Sequence, residues 1–312
     1  MFYNEHFYVD IIKDNLKRFG GGFVIYSFGI SQQGKAHIRN NTVCQDAYCF
    51  KIIDDKICVA AVADGLGSEN YSDIASKIAS ECVVNYCVER LNKDLQVDDI
   101  KQLLKESFGF ALSKIEQRVL EDNGDIKQYD TTLSACVFFD GKLVYGHSGD
   151  SGIIALANDG KFYKVTEQQR DTYGRVFPLC FGEEYWVFGC FDKTVAGVIL
   201  ATDGLLELFY PVYIKNMEKS IYTSLAKYFL NMNLVYENDF DVDEYKKSRE
   251  KYIMNIPENV VDDDKTILGI MDDNILIEWQ NDEYYMEPDW DYLKKKYRED
   301  YNKKAYSEVV DK

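Results

Sequence analysis

The stretch AAVADGLGS, residues 60–68, is the segment on which the fold depends. Its apolar residues predict a short buried strand, which stops at an aspartate and a glycine-rich turn. Asp64 should therefore lie at the rim of a hydrophobic core, where Gly65 and Gly67 allow the backbone to come close to whatever the carboxylate holds. An isolated Asp-Gly pair is more often an ordinary turn between two elements.

The pattern recurs, and this changes its interpretation. VILATDG, residues 198–204, is a second apolar strand that ends in Asp-Gly, at Asp203. Three more predicted strands have an aspartate at one end: Asp46, Asp150 and Asp263. A lone carboxylate has no reason to follow a fully apolar strand, so we expect these side chains to converge.

A converging set of carboxylates without histidine or cysteine favours a hard divalent cation. Oxygen ligands suit Mg²⁺ and Mn²⁺, which are held partly through water. Two such ions a few Å apart lower the pKa of a bridging water and clamp the oxygens of a phosphate ester. The chemistry expected of this pattern is therefore phosphate ester hydrolysis without a covalent nucleophile.

Composition narrows the class of protein. The 312 residues are 46% hydrophobic and carry a net charge of -17. Such acidity argues against partners that are nucleic acids or anionic membrane surfaces, because both require clustered Lys and Arg. No apolar run approaches the ~20 residues that a membrane span needs. The first ten residues do not resemble a secretory signal.

The cysteines indicate a reducing compartment. Eight cysteines are scattered over apolar positions, and none forms a Cys-x-x-Cys pair. They are typical of reduced core residues, which predicts a cytoplasmic protein without disulfides or a zinc site. None begins the Cys-x5-Arg loop that a thiolate phosphatase requires.

Apolar periodicity and turn residues predict segregated runs of strands and helices. The pattern favours an α+β fold with antiparallel sheets. Residues 131–165 are predicted as a meander, residues 185–191 and 195–202 as a strand pair, and residues 34–41 as a polar loop that holds His37 and Arg39. Residues 166–183 have little periodicity and are predicted as a mobile loop, whereas residues 213–230 are predicted as one helix.

Five motifs in this order resemble those of the metal-dependent type 2C (PPM) serine/threonine protein phosphatases, in a divergent bacterial-type branch. The motifs are QDA at 45–47, ADGLG at 63–67, TTL at 131–133 with GDS at 149–151, TDGL at 202–205 and DDKT at 263–266. The resemblance implies a four-layer α-β-β-α sandwich, with two antiparallel sheets flanked by helix pairs.

The resemblance also implies the site and the substrate. Two Mn²⁺ or Mg²⁺ ions are expected, with a third, weaker ion beside them. The implied ligands are Asp46, Asp64, the Gly65 carbonyl, Asp203 and Asp263, with Asp150 holding the third ion. The implied activity is hydrolysis of phosphoserine and phosphothreonine in proteins by a water that bridges the metals, in a pathway with a cognate serine/threonine kinase.

The chain departs from the family at the residues that bind phosphate. Asn41 stands where the family usually has an arginine, five residues before the first aspartate. Arg39 is one replacement, Arg170 or Arg175 another, and weak substrate binding is the remaining alternative. Leu66 stands where many eukaryotic members have a histidine, so either a water or His37 would protonate the leaving group.

Other polar residues are expected to have structural roles. His147 lies within a predicted strand and is expected to be a hydrogen-bonded core residue. Thr131 and Thr132 are expected to support the site through hydrogen bonds.

These patterns predict three segments of the chain and leave three candidate functions. We expect an N-terminal helical extension at 1–21, a catalytic domain at 22–271, and a charged, Tyr-rich helical extension at 272–312. That last helix either docks on the domain or serves a partner. The alternatives to a protein phosphatase are a regulatory pseudophosphatase, which binds a partner without turnover, and a phosphatase of small phosphomonoesters.

Overall fold

The computed structural model describes residues 24–92, 95–215, 220–237 and 239–310, with side chains of the last helix as far as Tyr301. Within these ranges ten strands form two antiparallel sheets of five. The strands are β1 Ile25–Gln32, β2 Asp46–Ile53, β3 Ile57–Asp64, β4 Leu133–Phe139, β5 Lys142–Ser148, β6 Gly152–Ala157, β7 Phe162–Lys164, β8 Val187–Cys190, β9 Val195–Ala201 and β10 Lys265–Asp272.

Helices cover the outer faces of both sheets. The first sheet has the order β1-β10-β9-β6-β7 and the second β2-β3-β4-β5-β8. The helices are α1 Lys35–Asn40, α2 Ser72–Arg90, α3 Val97–Glu121, α4 Asp203–Phe209, α5 Thr223–Phe229, α6 Met232–Val235, α7 Val242–Met254, α8 Asp282–Tyr285 and α9 Trp290–Val310. The N-terminal extension predicted at 1–21 lies outside the described residues.

The alternation of side chains along β3 shows how the layers are built. Cys58, Ala60 and Val62 face the first sheet, in a core formed between the two sheets. Val59 and Ala61 point the other way and pack against α2 and α3. A strand with both faces buried reads as one apolar run because each face meets another layer.

A third core closes the sandwich on its other side. It lies between the first sheet and helices α4 to α7, and includes Ile199, Ile267, Phe209 and Phe229. The α+β prediction and the four-layer α-β-β-α arrangement are therefore confirmed.

Two predicted strand pairings are wrong. The expected meander of residues 131–165 is interrupted, because β5 belongs to the second sheet and β6 to the first. Likewise β8 pairs with β5 and β9 pairs with β6 and β10, so β8 and β9 lie in different sheets. A short connection between two apolar segments has the same sequence pattern whether it turns back within one sheet or crosses to the other.

The segment 34–41 contains the helix α1, Lys35–Asn40, where a loop was predicted. None of the residues of α1 is buried, so the helix has no apolar face that a periodicity could reveal. Its position depends on distant backbone contacts instead. The amide of Gly34 donates to Asp264 Oδ1 at 2.6 Å, and the amide of Ala36 donates to the Asp262 carbonyl at 2.9 Å.

The helix predicted at 213–230 is divided. A 3₁₀ turn, Val212–Ile214, precedes residues 216–219, which are not described, and α5 begins only at Thr223. The chain is drawn back towards α4 just before α5, since the Tyr222 amide donates to the Phe209 carbonyl at 2.8 Å.

The beginning of α9 docks on the domain. The Trp290 ring lies 5.0 Å from that of Tyr222, and the Tyr297 ring lies 5.4 Å from that of Tyr213. Leu293, on the same helix, is buried. No described helix combines the length and apolar character that crossing a membrane would require.

Candidate metal centre

The ends of β2 and β3 place two aspartates side by side. Asp46 and Asp64 are register partners in the second sheet. Side chains alternate along a strand, so Asp64 faces the same way as Ala60 and Val62, towards the first sheet. The two carboxylates therefore lie at the edge of the layer between the sheets.

The end of β9 meets this pair from the first sheet. Thr202 follows β9, and its hydroxyl donates to Asp46 Oδ2 at 2.7 Å. The next residue, Asp203, begins α4. The hydrogen bond therefore joins the two sheets at the place where the second Asp-Gly motif begins.

Three carboxylates converge on one point. One oxygen from each of Asp64, Asp150 and Asp203 lies within 4.8 Å of the other two. Asp150 comes from the connection where the chain crosses between the sheets, after β5 and before β6. The crossing that the sequence did not reveal is thus the feature that brings Asp150 to the other two aspartates.

The backbone of Asp64 is held on both sides by threonines. Its amide donates to Thr132 Oγ1 at 3.0 Å, and its carbonyl accepts from Thr131 Oγ1 at 3.0 Å. Thr132 Oγ1 also lies 2.7 Å from Ser151 Oγ, next to Asp150. The expected supporting role of Thr131 and Thr132 is confirmed by these contacts.

Both Asp-Gly motifs need glycine because other backbone passes close by. A Cβ on Gly65 would lie 2.6 Å from the carbonyl oxygen of Ser72, and one on Gly204 would lie 2.1 Å from that of Asp264. Neither approach is possible for a residue with a side chain. The motif therefore recurs because each aspartate stands where two backbone segments meet.

A second acidic group surrounds the start of β10. Ligand atoms of His37, Asp263 and Asp264 lie within 4.8 Å of one another. The buried Asp264 accepts the amide of Gly34 on Oδ1 and that of Gln45 on Oδ2, both at 2.6 Å. His37 Nδ1 lies 2.9 Å from Asp264 Oδ2. Sequence reasoning missed Asp264, and its one local signal was its place in a run of three aspartates.

Asp263 connects this group with the first one. Its Cβ lies 3.7 Å from the position that a Cβ on Gly204 would take, beside Asp203. The five aspartates identified from the sequence are therefore all at one end of the sandwich, at strand ends or in the connection between the sheets.

Burial and the charges of neighbouring carboxylates raise the pKa values of Asp46 and Asp64. The pKa of Asp64 is raised well above its ordinary value, first by burial and then by the charges of Asp46, Asp203 and Asp150. Burial also raises the pKa of Asp46, although the Thr202 hydroxyl opposes the shift. Like charges close together disfavour the ionised form, and a divalent cation reverses this effect. The donor set and its clustered negative charge therefore fit hard divalent cations.

Asp150 has a cationic neighbour as well. Burial raises the pKa of Asp150 to about 6, the charge of Asp203 acts in the same direction, and the guanidinium of Arg170 opposes both. Arg170 Nη2 lies 2.7 Å from Asp150 Oδ2 and 3.1 Å from Asp203 Oδ2.

The other arginines considered for phosphate binding are paired elsewhere. Arg39 forms ion pairs with Glu258 and Asp262. Arg175 is exposed and pairs with Asp171 of its own segment at 2.7 Å. Arg170 is thus the one of the three with an ion pair to the clustered aspartates in the described part of the chain.

His147 is a core residue, as predicted. It is buried, and its two ring nitrogens lie 2.8 Å from Ser134 Oγ and 2.9 Å from the Glu167 carbonyl. A carbonyl can only accept, so Nε2 carries the proton and Nδ1 accepts from the serine hydroxyl. Burial lowers the pKa of His147 to about 4.

Known structures resemble this one in fold. Serine/threonine phosphatase Stp1 from Staphylococcus aureus has a TM-score of 0.54 at 13% identity, over 80% of this chain and 96% of that chain. A serine/threonine phosphatase of S. agalactiae has a TM-score of 0.54 at 12% identity, over 79% and 99%. The catalytic domain of the phosphatase PstP, in complex with two manganese ions, has a TM-score of 0.51 at 17% identity, over 80% and 99%.

The family model for protein phosphatase 2C matches residues 33–236, which is more than half of the chain. Comparison with curated proteins gives no match. The matched region contains the Asp64-Gly65 and Asp203-Gly204 motifs and the strands that bring them together. On this evidence the chain belongs to the protein phosphatase 2C family.

Proposed function

We propose that this protein is a metal-dependent phosphatase of phosphoserine and phosphothreonine in proteins. The observation that carries the proposal is the convergence of Asp64, Asp150 and Asp203, whose oxygens lie within 4.8 Å of one another. Half-buried and buried carboxylates in such proximity repel one another, and they are placed together at a cost to stability. A site for divalent cations accounts for that cost.

We assign the residues of the cluster to metal binding. Asp46, Asp64, Asp203 and Asp263 would hold two Mn²⁺ or Mg²⁺ ions together with the carbonyl of Gly65, and Asp150 would contribute to a third. When bound, such ions supply a water of lowered pKa and draw negative charge from the phosphoryl oxygens. The PstP structure with two manganese ions supports the number of ions and their type.

His37 is the proposed proton donor to the leaving group. Asp264 lies 2.9 Å from its Nδ1 and is itself fixed by two backbone amides. The imidazole therefore lies beside a fixed carboxylate at the start of β10, close to Asp263. Arg39 remains the proposal made from the sequence for phosphate binding; to act there it would have to leave its ion pairs with Glu258 and Asp262.

The proposed substrates are phosphoproteins in a kinase pathway of the cytoplasm. The net charge of -17 disfavours nucleic acid and anionic membranes as partners. The neighbours Stp1 and the S. agalactiae protein are serine/threonine phosphatases, which supports this substrate class.

The test is hydrolysis by the full chain with Mn²⁺ present. Wild-type protein should release phosphate from p-nitrophenyl phosphate and from a phosphothreonine peptide, with stimulation by Mn²⁺ and loss in chelator. Asp64→Asn should reduce the rate by at least about 100-fold, because it removes a charge at the centre of the ligand set. Asp159→Asn, at a turn beside Lys193, is the matched control and should retain the wild-type rate.

A pseudophosphatase is the second candidate, and a specific observation favours it. Asn41, at the position of the missing arginine, ends α1 in a left-handed conformation with φ 58°, and Arg39 is held in ion pairs. Mn²⁺ binding by calorimetry without turnover of any phosphoester would identify this case. Turnover of small phosphomonoesters but not of phosphopeptides would identify the third function considered.

A further inference from the structure

One guanidinium nitrogen of Arg170 forms ion pairs with three carboxylates. Its Nη2 lies 2.7 Å from Asp150 Oδ2, 3.1 Å from Asp203 Oδ2 and 3.4 Å from Glu207 Oε1. The side chain of Asp150 is 3% exposed and that of Asp203 is 25% exposed, so the ion pair is partly shielded from water. Shielded pairs are screened less than surface pairs and are correspondingly stronger.

The backbone beneath Arg170 is anchored to the connection that carries Asp150. The Gln169 amide donates to the Gly149 carbonyl at 2.8 Å, and the Gly149 amide donates to Gln169 Oε1 at 2.8 Å. Gln168 Nε2 donates to the Asp150 carbonyl at 2.9 Å. The backbone at Arg170 is therefore fixed beside Asp150, whereas its side chain is 35% exposed and reaches solvent.

A divalent ion and Arg170 require the same oxygens. A Mg²⁺ ion lies about 2.1 Å from a carboxylate oxygen that it binds, inside the contact distance of a guanidinium nitrogen. An ion bound to Asp150 and Asp203 would meet the positive charge of Arg170 at close range. The two cations therefore exclude each other from this carboxylate pair.

We propose that Arg170 is an internal cation that a divalent ion must displace from Asp150 and Asp203, and that this competition weakens metal binding there. The inference rests on the proposed metal centre but adds a residue that opposes its loading. Glu207 has no assigned role as a ligand, and it is 61% exposed on the same helix as Asp203. It remains as a partner for the guanidinium after displacement.

Calorimetric titration of the metal-stripped full chain with Mn²⁺ tests the proposal without any turnover. The variants are Arg170→Met, which keeps an apolar stem and removes the charge, and Arg175→Met as the matched control from the same segment. Arg170→Met should bind the weakest Mn²⁺ ion about tenfold more tightly than wild type, a difference of about 1.4 kcal/mol. Arg175→Met should match wild type because Arg175 pairs with Asp171 and with no other carboxylate in the described part of the chain.

The possible outcomes separate this inference from the proposed function. Equal or weaker Mn²⁺ binding by Arg170→Met would overturn the competition while leaving the metal centre intact. An absence of Mn²⁺ binding by wild type and variant alike would overturn both. If Arg170→Met fails to fold, Arg170→Gln replaces it, because it removes the positive charge and keeps a polar side chain that can donate to the carboxylates. It should bind the weakest ion more tightly than wild type, and unchanged binding would count against the inference.

Discussion

At the scale of single residues, His147 shows how a titratable group is kept neutral inside the fold. Its Nε2–H donates to the Glu167 carbonyl and its Nδ1 accepts from Ser134, so only one of the two neutral tautomers satisfies both nitrogens. Protonation would put a charge into the buried core, which is costly. The residue therefore links β5 to the beginning of the segment 166–183.

Acid should destabilise the protein through this histidine. Its pKa is about 4 in the folded chain, against about 6.5 when unfolded, so the unfolded state takes up the proton first. The contribution to stability is complete above pH ~6.5 and is lost as the pH falls towards 4, to a total of about 3 kcal/mol. Urea unfolding at several pH values measures it.

The control for this prediction is His147→Gln, which cannot titrate. The raised carboxyl pKa values act in the opposite direction and are common to both proteins, so the difference between the two pH profiles isolates the histidine. Parallel profiles between pH ~6.5 and ~4 would show that His147 is not the responsible group.

At the scale of elements, the segment 166–183 has little regular structure but is attached at defined points. The Gln169 side chain accepts from the Gly149 amide and donates to the Tyr185 carbonyl, both at 2.8 Å. It thereby joins the connection that carries Asp150 to the chain entering β8. A segment without a hydrophobic face depends on such side-chain bonds for its order.

Removal of this attachment should loosen the segment while the sandwich stays folded. Gln169→Ala loses both side-chain hydrogen bonds, each of which contributes on the order of 1 kcal/mol. Amide exchange over residues 166–185 should accelerate by roughly tenfold, as hydrogen–deuterium exchange with mass spectrometry can measure.

The matched variant for this experiment is Gln102→Ala on the exposed side of α3. The Gln102 side chain donates to Glu106 of its own helix at 3.1 Å and to no residue of the segment 166–183 that the structure describes, so its removal should leave the segment at wild-type protection. Equal exchange over residues 166–185 in both variants would mean that other contacts hold the segment.

At the scale of the whole molecule, the sandwich concentrates negative charge at one end of its central layer. Asp46 and Asp64 come from the second sheet, Asp203 follows a strand of the first, and Asp150 comes from the connection between them. The carboxylates have little freedom to move apart, because all four aspartates stand where the sheets and their connections meet. The fold therefore carries a local instability at the site where function is proposed.

Neutralising one member of the cluster should stabilise the metal-free protein. Asp64→Asn removes repulsion that raises the pKa of this carboxyl, so its melting temperature in chelator at neutral pH should exceed that of wild type. We expect roughly 2 °C for each kcal/mol of repulsion relieved. Mn²⁺ should raise the melting temperature of wild type but have little effect on the variant.

Asp159, a carboxylate whose pKa is lowered in the folded chain, serves as the control in the same assay. The pKa of Asp159 is lowered by its hydrogen bonds with Tyr163 and Lys193, although burial opposes this. Asp159→Asn should therefore lower the melting temperature in chelator and leave the Mn²⁺ effect at the wild-type value. A lower melting temperature for Asp64→Asn in chelator would show that the cluster is not repulsive.

The sequence by itself determined most of the strands and helices, the α+β class and the recurrence of Asp-Gly after apolar strands. Those features depend on the identity and spacing of neighbouring residues, such as the alternation in β3 that buries both of its faces. Only the tertiary structure decided where the chain crosses from one sheet to the other, that α1 exists, and which arginine meets the aspartates. Asp264 contacts Gly34 across 230 positions of the chain, and the Arg170–Asp150 pair depends on the crossing between sheets. Such contacts are absent from any local pattern because packing alone brings the partners together.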